Sequence, residues 1–145
     1  MRLEVVVLPV SDVDRAKAFY IAAGFREDLD LAWDGEFRVV RFTPPGSSAS
    51  IVFGAGITTQ APGSVGGVHL IVADIEAAVA ELGLRGIEVS EVFHDIGGYF
   101  YRRSPEFDVP GPDPARRPSA TFARFWDPDG NSWVLEEAGA GAPPR

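Results

Sequence analysis

The sequence predicts an α+β protein built from two βαβββ modules, and three observations support this. A strand, cap, helix and glycine pattern in "VSDVDRAKAFYIAAGF" returns as "VADIEAAVAELGLRGI", aligned without a gap. Each helix is followed by three strand-like segments. The turns "TPPG" (43–46) and "DPDG" (127–130) place proline before glycine ahead of the last strand of each copy. Two copies of such a pattern indicate one supersecondary unit used twice.

The first copy begins with the apolar strand 3–10. Asp12 is a predicted N-cap, because its side chain can accept hydrogen bonds from the first helical N–H groups. Apolar residues then recur at helical spacing until Gly24, which suits the left-handed residue that ends a helix. The predicted strands that follow are 26–33, 37–43 and 48–54.

The second copy repeats this order, with Asp74 as the predicted cap and Gly86 as the predicted stop. Its predicted strands are 66–72, 87–94, 120–126 and 132–137. The extra length of this copy forms an inserted loop at 95–118. We therefore predict a single domain over 1–137, with module one at 1–60, module two at 64–137 and a flexible tail at 138–145.

The composition excludes several classes of function. A net charge of −8 argues against nucleic acid as a partner, because phosphate binding needs concentrated Lys and Arg. The acidic surface is either simply solvated or attracts a cationic ligand. The sequence has no cysteine, so thiolate chemistry and disulfides are absent. Without a membrane-length apolar run or an apparent secretion signal, the expected location is the cytoplasm.

The segments "VLPVSDVDRAKAFYIAAGF", "HLIVADIEAAVAEL" and "FWDPDGNSWVLEE" closely resemble the vicinal oxygen chelate superfamily. This superfamily comprises glyoxalases, extradiol dioxygenases and bleomycin-resistance proteins. The resemblance implies two modules whose curved mixed sheets enclose a cavity, and it implies a homodimer. It does not imply one chemistry, because the fold serves metal enzymes, metal-free enzymes and binding proteins.

Metal-using members carry their ligands on the first and last strand of each module. By the resemblance, these positions are Val5, Gly67, Val134 and either Ser50 or Ile51. None of these side chains is a good metal ligand, and a divalent site needs three or four donors. We therefore expect no bound metal and no other cofactor.

A histidine and a carboxylate remain as candidate catalytic groups. His69 and Glu136 each lie two residues beyond a metal-ligand position, and residues two apart on a strand face the same way. The resemblance makes their strands parallel neighbours, so we expect the two side chains within hydrogen-bond reach. The carboxylate would then fix the imidazole tautomer and make it a better base. Alternatively, His69 only fills space or binds a backbone carbonyl.

Further residues are candidate ligand contacts. Arg38 and Arg41 lie three apart on one strand, hence on opposite faces, and the sequence leaves open which one reaches the cavity. Alternatively, both are solvated surface charges. The inserted loop is rich in aromatic and arginine residues, which suit stacking on a planar or anionic ligand. It is a lid, a mobile segment or a dimer contact. The remaining candidates are His94, Tyr99, Tyr101 and Trp133.

Three functions fit these features. The favoured one is a metal-independent protein that sequesters a small organic molecule, as bleomycin-resistance proteins do. The second is a metal-independent lyase or isomerase that uses His69 and Glu136 for proton transfer. The third is a protein with a vestigial cavity that binds a partner.

Overall fold

The computed structural model describes residues 1–96 and 105–139, which form two compact units. Unit 1 contains Met1–Gly66 together with Trp126–Ser132. Unit 2 contains the rest of the chain. The turn 127–130 therefore packs with unit 1, although the sequence repeat assigned it to module two.

Unit 1 has one helix on one side of a four-stranded sheet. The strand order is β1-β4-β3-β2, with β1 parallel to β4 and the other pairs antiparallel, which is the predicted βαβββ arrangement. Its elements are β1 (Val5–Val7), α1 (Val13–Ala22), β2 (Arg26–Trp33), β3 (Phe37–Thr43) and β4 (Ser50–Ala55).

Unit 2 repeats this order with one added strand. In its described residues the sheet has five strands in the order β5-β9-β8-β6-β7, and β5 is parallel to β9. The added strand, β7, pairs with β6 and is preceded by a short 3-10 turn at Pro105–Phe107. The other elements are β5 (Val68–Val72), α2 (Ile75–Leu84), β6 (Phe93–Asp95), β7 (Asp108–Pro110), β8 (Thr121–Trp126) and β9 (Ser132–Glu137).

Both helices begin and end as predicted. Asp12 accepts a hydrogen bond from the Arg15 amide at 3.0 Å, and Asp74 accepts one from the Ala77 amide at 2.9 Å. These bonds satisfy amides that have no partner inside the helix. Gly24 (φ 87°) and Gly86 (φ 81°) follow the helices in the left-handed region that favours glycine.

The helix-covered face of each sheet carries the aromatic core. In unit 1, the Tyr20 ring of α1 lies 6.3 Å from Phe42 and 5.5 Å from Phe53 between centroids. In unit 2, Phe125 and Trp133 stack with centroids 5.9 Å apart. Among the described residues, no α-helix of the same unit covers the opposite side of either sheet, and we call this side the helix-free face.

Two predicted segments differ from the structure. The predicted strand 87–94 is reduced to β6 and an isolated bridge between Val89 and Phe125. The ladder breaks because the Ser90 hydroxyl accepts the Arg124 amide at 2.8 Å, in place of a backbone carbonyl. The predicted loop 95–118 contributes β7, so part of the insertion belongs to the sheet.

The first residue of the predicted tail is hydrogen-bonded to the sheet. The Ala138 amide donates to the Val72 carbonyl at 2.9 Å, so the chain continues to pair beyond β9. Residues 140–145 of the predicted tail lie outside the described residues. In the described part of the chain, neither helix has the length and apolar character that crossing a membrane requires.

Candidate functional site

His69 and Glu136 meet on the helix-free face of unit 2. The parallel register of β5 and β9 places His69 opposite Val134 and Ile71 opposite Glu136, so both side chains leave the same face. His69 Nδ1 lies 2.8 Å from Glu136 Oε2. The predicted contact is therefore present, and its catalytic role stays a prediction.

The geometry fixes one tautomer of the imidazole. An ionised carboxylate has only acceptor sites, so the hydrogen between the two groups belongs to His69 Nδ1. In the neutral ring, Nε2 then holds the lone pair. The His69 side chain is 37% exposed and that of Glu136 20% exposed, so the pair is accessible from solvent. This arrangement can take up and return a proton.

An aromatic cluster lies on the same face of the sheet. Phe93, Phe122 and Val134 pack together and are buried. The Arg124 guanidinium lies 4.1 Å from the centroid of the Phe93 ring and also binds Asp108 at 2.6 Å. Val134 is opposite His69 in the register, so the aliphatic end of this cluster adjoins the His69–Glu136 pair.

The two arginines of β3 lie on opposite faces of the unit 1 sheet, as predicted. Arg38 is on the helix-covered face, where it binds Asp30 at 2.8 Å and Asp14 at 2.7 Å. Its hydrogen bonds, together with those of Lys17, hold the pKa of Asp30 far below its usual range. Arg38 is thus engaged in joining α1 to the sheet, and we leave it out of the candidate site.

Arg41 lies on the helix-free face of unit 1. It is opposite Val52 on β4 and Leu29 on β2. Its Nη2 donates to Glu4 at 2.8 Å, and this contact holds the pKa of Glu4 below its usual value. Of the two predicted arginines, Arg41 is the one placed to meet a ligand on this face.

Two other predicted ligand contacts are not on a helix-free face. Trp133 is fully buried against Phe125 on the helix-covered face, so it is part of the core. His94 is opposite Thr121, whose hydroxyl accepts the buried Asp113 amide, and its Nδ1 lies 2.9 Å from the Gly111 carbonyl. Side chains alternate along a strand, so the residues on the helix-free face are their neighbours Phe93 and Val134.

The predicted contacts Tyr99 and Tyr101 lie outside the described residues. The insertion was predicted to lie beside a cavity, and the structure describes its residues 95–96 and 105–118. There, Asp108 and Pro110 of β7 border a cavity of about 280 Å³ that Phe93 and Arg124 also line.

The positions that hold metal in metal-using members do not fit a metal here. Val5 pairs with Ser50, whereas Ile51 is buried on the helix-covered face, so Ser50 is the fourth position. Valine, glycine and serine supply no carboxylate or imidazole. In residues 1–96 and 105–139, no three His, Cys, Asp or Glu side chains come close enough to hold a metal ion.

Sequence reasoning missed the exposed apolar side chains of unit 1. Five of them share its helix-free face, and Trp33 and Phe37 form a tilted aromatic pair with centroids 5.4 Å apart. The signal was the alternation of acidic and apolar residues in "DLDLAW" (28–33), which is typical of a strand with one apolar face. The five are Val7, Leu29, Leu31, Trp33 and Phe37.

Comparisons with known proteins agree with this architecture. A family model described as "Glyoxalase/Bleomycin resistance protein/Dioxygenase superfamily" matches residues 2–135. A search of curated protein sequences finds no match.

Three solved structures are similar over nearly their whole length. TnmS3, an antibiotic binding protein from Streptomyces sp. CB03234, is 28% identical, with 96% of this chain and 97% of that chain covered and a TM-score of 0.70. A glyoxalase/bleomycin resistance protein from the same organism is 29% identical, with coverage of 93% and 99% and a TM-score of 0.67.

The third is a member of the superfamily from Sphaerobacter thermophilus DSM 20745. It is 26% identical, with coverage of 94% and 97% and a TM-score of 0.67. The repeated βαβββ units and the match over residues 2–135 lead to one conclusion. The chain belongs to the glyoxalase/bleomycin resistance protein/dioxygenase superfamily.

Proposed function

We propose that this protein binds a small organic molecule and releases it unchanged, as a sequestering protein does. The observation that carries the proposal is the exposed apolar side of the unit 1 sheet, where Leu29 is opposite Arg41 and Leu31 and Trp33 follow along the same strand. Exposed apolar groups with a few polar ones are typical of ligand sites. The similar structure TnmS3 is described as an antibiotic binding protein, which favours the same class of function.

We propose further that binding needs no metal. The donor set supports this, because Val5, Ser50, Gly67 and Val134 occupy the positions where metal-using members have ligands. Elemental analysis of the purified protein is expected to find no stoichiometric divalent ion. About one zinc, iron, nickel or manganese per chain would overturn this part of the proposal, with His69 and Glu136 as the first candidate ligands.

A thermal-shift screen tests the binding function. Small organic molecules, including antibiotics, would be added to the full chain with and without a chelator. A true ligand raises the unfolding temperature by mass action. Mass spectrometry of the recovered ligand should find it unchanged. If no compound shifts the transition and none binds by calorimetry, the sequestration proposal is wrong.

The His69–Glu136 contact favours a second candidate function, a metal-independent isomerase or lyase. In an isomerase, Nε2 removes a proton from a carbon next to a carbonyl group, and the resulting imidazolium returns it to another atom of the same molecule. In a lyase, the same proton removal forms a double bond as the leaving group departs from the neighbouring carbon, and the imidazolium protonates that leaving group. Glu136 stabilises the imidazolium through the 2.8 Å contact with Nδ1. The proton moves only between the ligand and His69, so the reaction needs no further reactant.

Substitution of His69 separates the two candidates. In an enzyme, His69→Ala should abolish turnover or deuterium exchange into the ligand, whereas in a binding protein it should only weaken affinity. His94→Ala is the matched control, because His94 lies on the other face and binds the Gly111 carbonyl. Exchange that persists in His69→Ala would exclude this histidine as the base.

We also propose a homodimer in the cytoplasm. The exposed apolar side chains of unit 1 reach from Val7 on β1 to Leu29 on β2, the two edges of the sheet. Three strand spacings make this width about 14 Å. A small planar ligand leaves part of that width uncovered, and a second copy would cover the rest. Sedimentation of a strict monomer at high concentration would contradict the dimer.

A further inference from the structure

A β-bulge in β2 forms one side of a polar pocket on the helix-free face of unit 1. The register of β2 against β3 shifts between Glu27 and Leu29, so Asp28 is the inserted residue. The bulge directs Asp28 toward Thr43 while Leu29 faces Arg41. These residues line a cavity of about 410 Å³, which we call the Arg41 pocket, together with Arg26, Ser47, Ser48 and Ser50.

The hydrogens of the pocket can be assigned from its contacts. Asp28 accepts from Arg26 Nε at 2.7 Å and from the Thr43 hydroxyl, and these two donors hold the pKa of Asp28 below its usual value. The single Thr43 hydrogen is therefore engaged. Because Thr43 Oγ1 lies 2.8 Å from Ser50 Oγ, Ser50 is the donor in that bond.

Donors remain in this pocket after that assignment. A guanidinium has five N–H groups, and among the described residues the Arg41 side chain donates only to Glu4. The Ser48 hydroxyl has no partner within the described part of the chain. Arg26, Asp28 and Arg41 line the pocket and Asp28 pairs with Arg26, so the lining residues carry one net positive charge.

The contact between Arg41 and Glu4 is easily exchanged. The Glu4 side chain is 62% exposed, and an exposed ion pair contributes little to stability. A ligand carboxylate can therefore replace Glu4 at the guanidinium, where a bidentate pair is stronger and more specific than a single contact.

Apolar side chains continue from the pocket along the same face. Leu29 is opposite Arg41, Leu31 is opposite Val39, and Trp33 is opposite Phe37. Arg41 lies four residue steps beyond Phe37 on β3, which is roughly 13 Å along the strand. The helix-free face of unit 1 therefore has Arg41 at one end and the Trp33–Phe37 pair at the other.

We propose that the Arg41 pocket binds the acidic group of an organic acid whose flat apolar body lies on Leu29 and Leu31. The inference rests on the proposed binding function and narrows its ligand class. A planar anion fits both the N–H donors of Arg41 and the exposed leucines. A cationic ligand, although favoured by the net charge of −8, would meet a like charge at this place.

Three matched probes test the ligand class with the full chain. They are anthracene-2-carboxylate, its neutral carboxamide and the cationic 2-(aminomethyl)anthracene, which differ mainly in charge. Their binding at pH 7.5 can be followed by anthracene fluorescence. The wild-type protein should bind the carboxylate about tenfold more tightly than the carboxamide, since a charged hydrogen bond adds this much. The cation should bind most weakly.

Variants of the pocket attribute this preference to Arg41. Arg41→Gln should weaken carboxylate binding about tenfold and change carboxamide binding less than about twofold. Glu4→Gln should strengthen carboxylate binding a few fold, because it removes the competing carboxylate. Arg85→Gln is the control, as Arg85 is an exposed arginine on unit 2 that pairs with Glu81.

The outcomes distinguish this inference from the binding function. Equal affinity of the wild-type protein for carboxylate and carboxamide would overturn the inference while leaving the binding function intact. An equal loss of all three probes in Arg41→Gln would indicate a structural role and would also overturn it. Failure of all three probes to bind would overturn it as well, and the compound screen alone would then decide the binding function.

Discussion

On the helix-free face of unit 1, Leu29, Leu31 and Trp33 are 37%, 43% and 48% exposed, whereas Phe93 and Phe122 on that of unit 2 are 5% and 1% exposed. The two faces arise from one repeated order of elements. The face of unit 1 carries exposed apolar side chains and an arginine. The face of unit 2 carries a histidine in contact with a carboxylate, next to a buried aromatic cluster.

This difference shows which positions the fold constrains. The helix-covered face of each sheet must bury apolar side chains against a helix, so Phe42 and Phe53 in unit 1 and Phe125 and Trp133 in unit 2 are all aromatic. On the helix-free faces, no helix of the same unit requires apolar side chains to pack against it. These faces are therefore where the two units carry different chemistry.

The largest expected change in stability comes from the helix-free face of unit 2, where the aromatic side chains are buried. Phe122→Ala should lower the free energy of unfolding by about 3–5 kcal/mol, because it removes a buried ring and leaves a cavity. Leu31→Ala, on the exposed face, should cost less than about 1 kcal/mol and should instead weaken ligand binding. Urea unfolding monitored by tryptophan fluorescence measures both. Equal losses of stability would show that the two faces are equally buried in solution.

The next largest effect is expected in the turns that precede β4 and β9, at 43–46 and 127–130. Asn131 is fully buried, donates to the Pro9 carbonyl at 2.9 Å and accepts the Val65 amide at 3.1 Å. Asn131→Ala leaves these two backbone groups without a hydrogen-bond partner, so it should lower the free energy of unfolding by about 3 kcal/mol. Ser47 follows the other turn and is exposed, so Ser47→Ala should cost less than about 1 kcal/mol.

Calorimetric melting of both turn variants gives the comparison. A loss in Asn131→Ala no larger than that in Ser47→Ala would mean that water replaces the missing amide. The buried hydrogen bonds of the second turn would then contribute no more than the exposed ones of the first.

The helix caps should be equivalent in the two units. Asp12→Ala and Asp74→Ala should each lower the free energy of unfolding by about 1 kcal/mol, since each removes one bond to a helical amide. Asn at either position should restore most of the loss, because Asn also caps. A difference of more than about 1 kcal/mol between the two variants would show that one cap has a further role.

The smallest effect is pH-dependent and belongs to unit 1. Arg38 and Lys17 lower the pKa of Asp30 in the folded chain from its usual value of 3.8. The resulting stabilisation is present above about pH 4 and is lost as the pH falls below it, since the unfolded chain then binds the proton more readily. Asp30→Asn should therefore lose about 1 kcal/mol at pH 7 and less at pH 3.

Urea unfolding of wild type and Asp30→Asn at pH 7 and pH 3 measures this difference. Glu81→Gln is a suitable control, because its partner Arg85 is an exposed residue on α2. An equal loss at both pH values would show that the charge of Asp30 is not what stabilises the contact.

Local signals explain what could be predicted from the sequence. The caps Asp12 and Asp74 and the stops Gly24 and Gly86 are recognisable because each acts within a few residues of its helix. The His69–Glu136 contact was predicted because strand alternation and the expected parallel pairing together fix the face of both residues.

Nonlocal register explains what could not be predicted. Arg38 and Arg41 were placed on opposite faces, but which face α1 covers depends on packing that no spacing within β3 reveals. The bulge at Asp28 and the Ser90 hydroxyl that interrupts the ladder depend on partners 15 and 34 residues away.

The grouping of Trp126–Ser132 with unit 1 has a consequence for cutting the chain. Asp127 accepts the buried Tyr20 hydroxyl at 2.9 Å, and Asn131 binds the Pro9 carbonyl. A fragment ending at residue 66 would leave Tyr20 and Pro9 without these partners, in the middle of an aromatic core. The first half of the repeat is therefore not a self-sufficient folding unit, and it should gain structure only when the half that carries Asp127 and Asn131 is added.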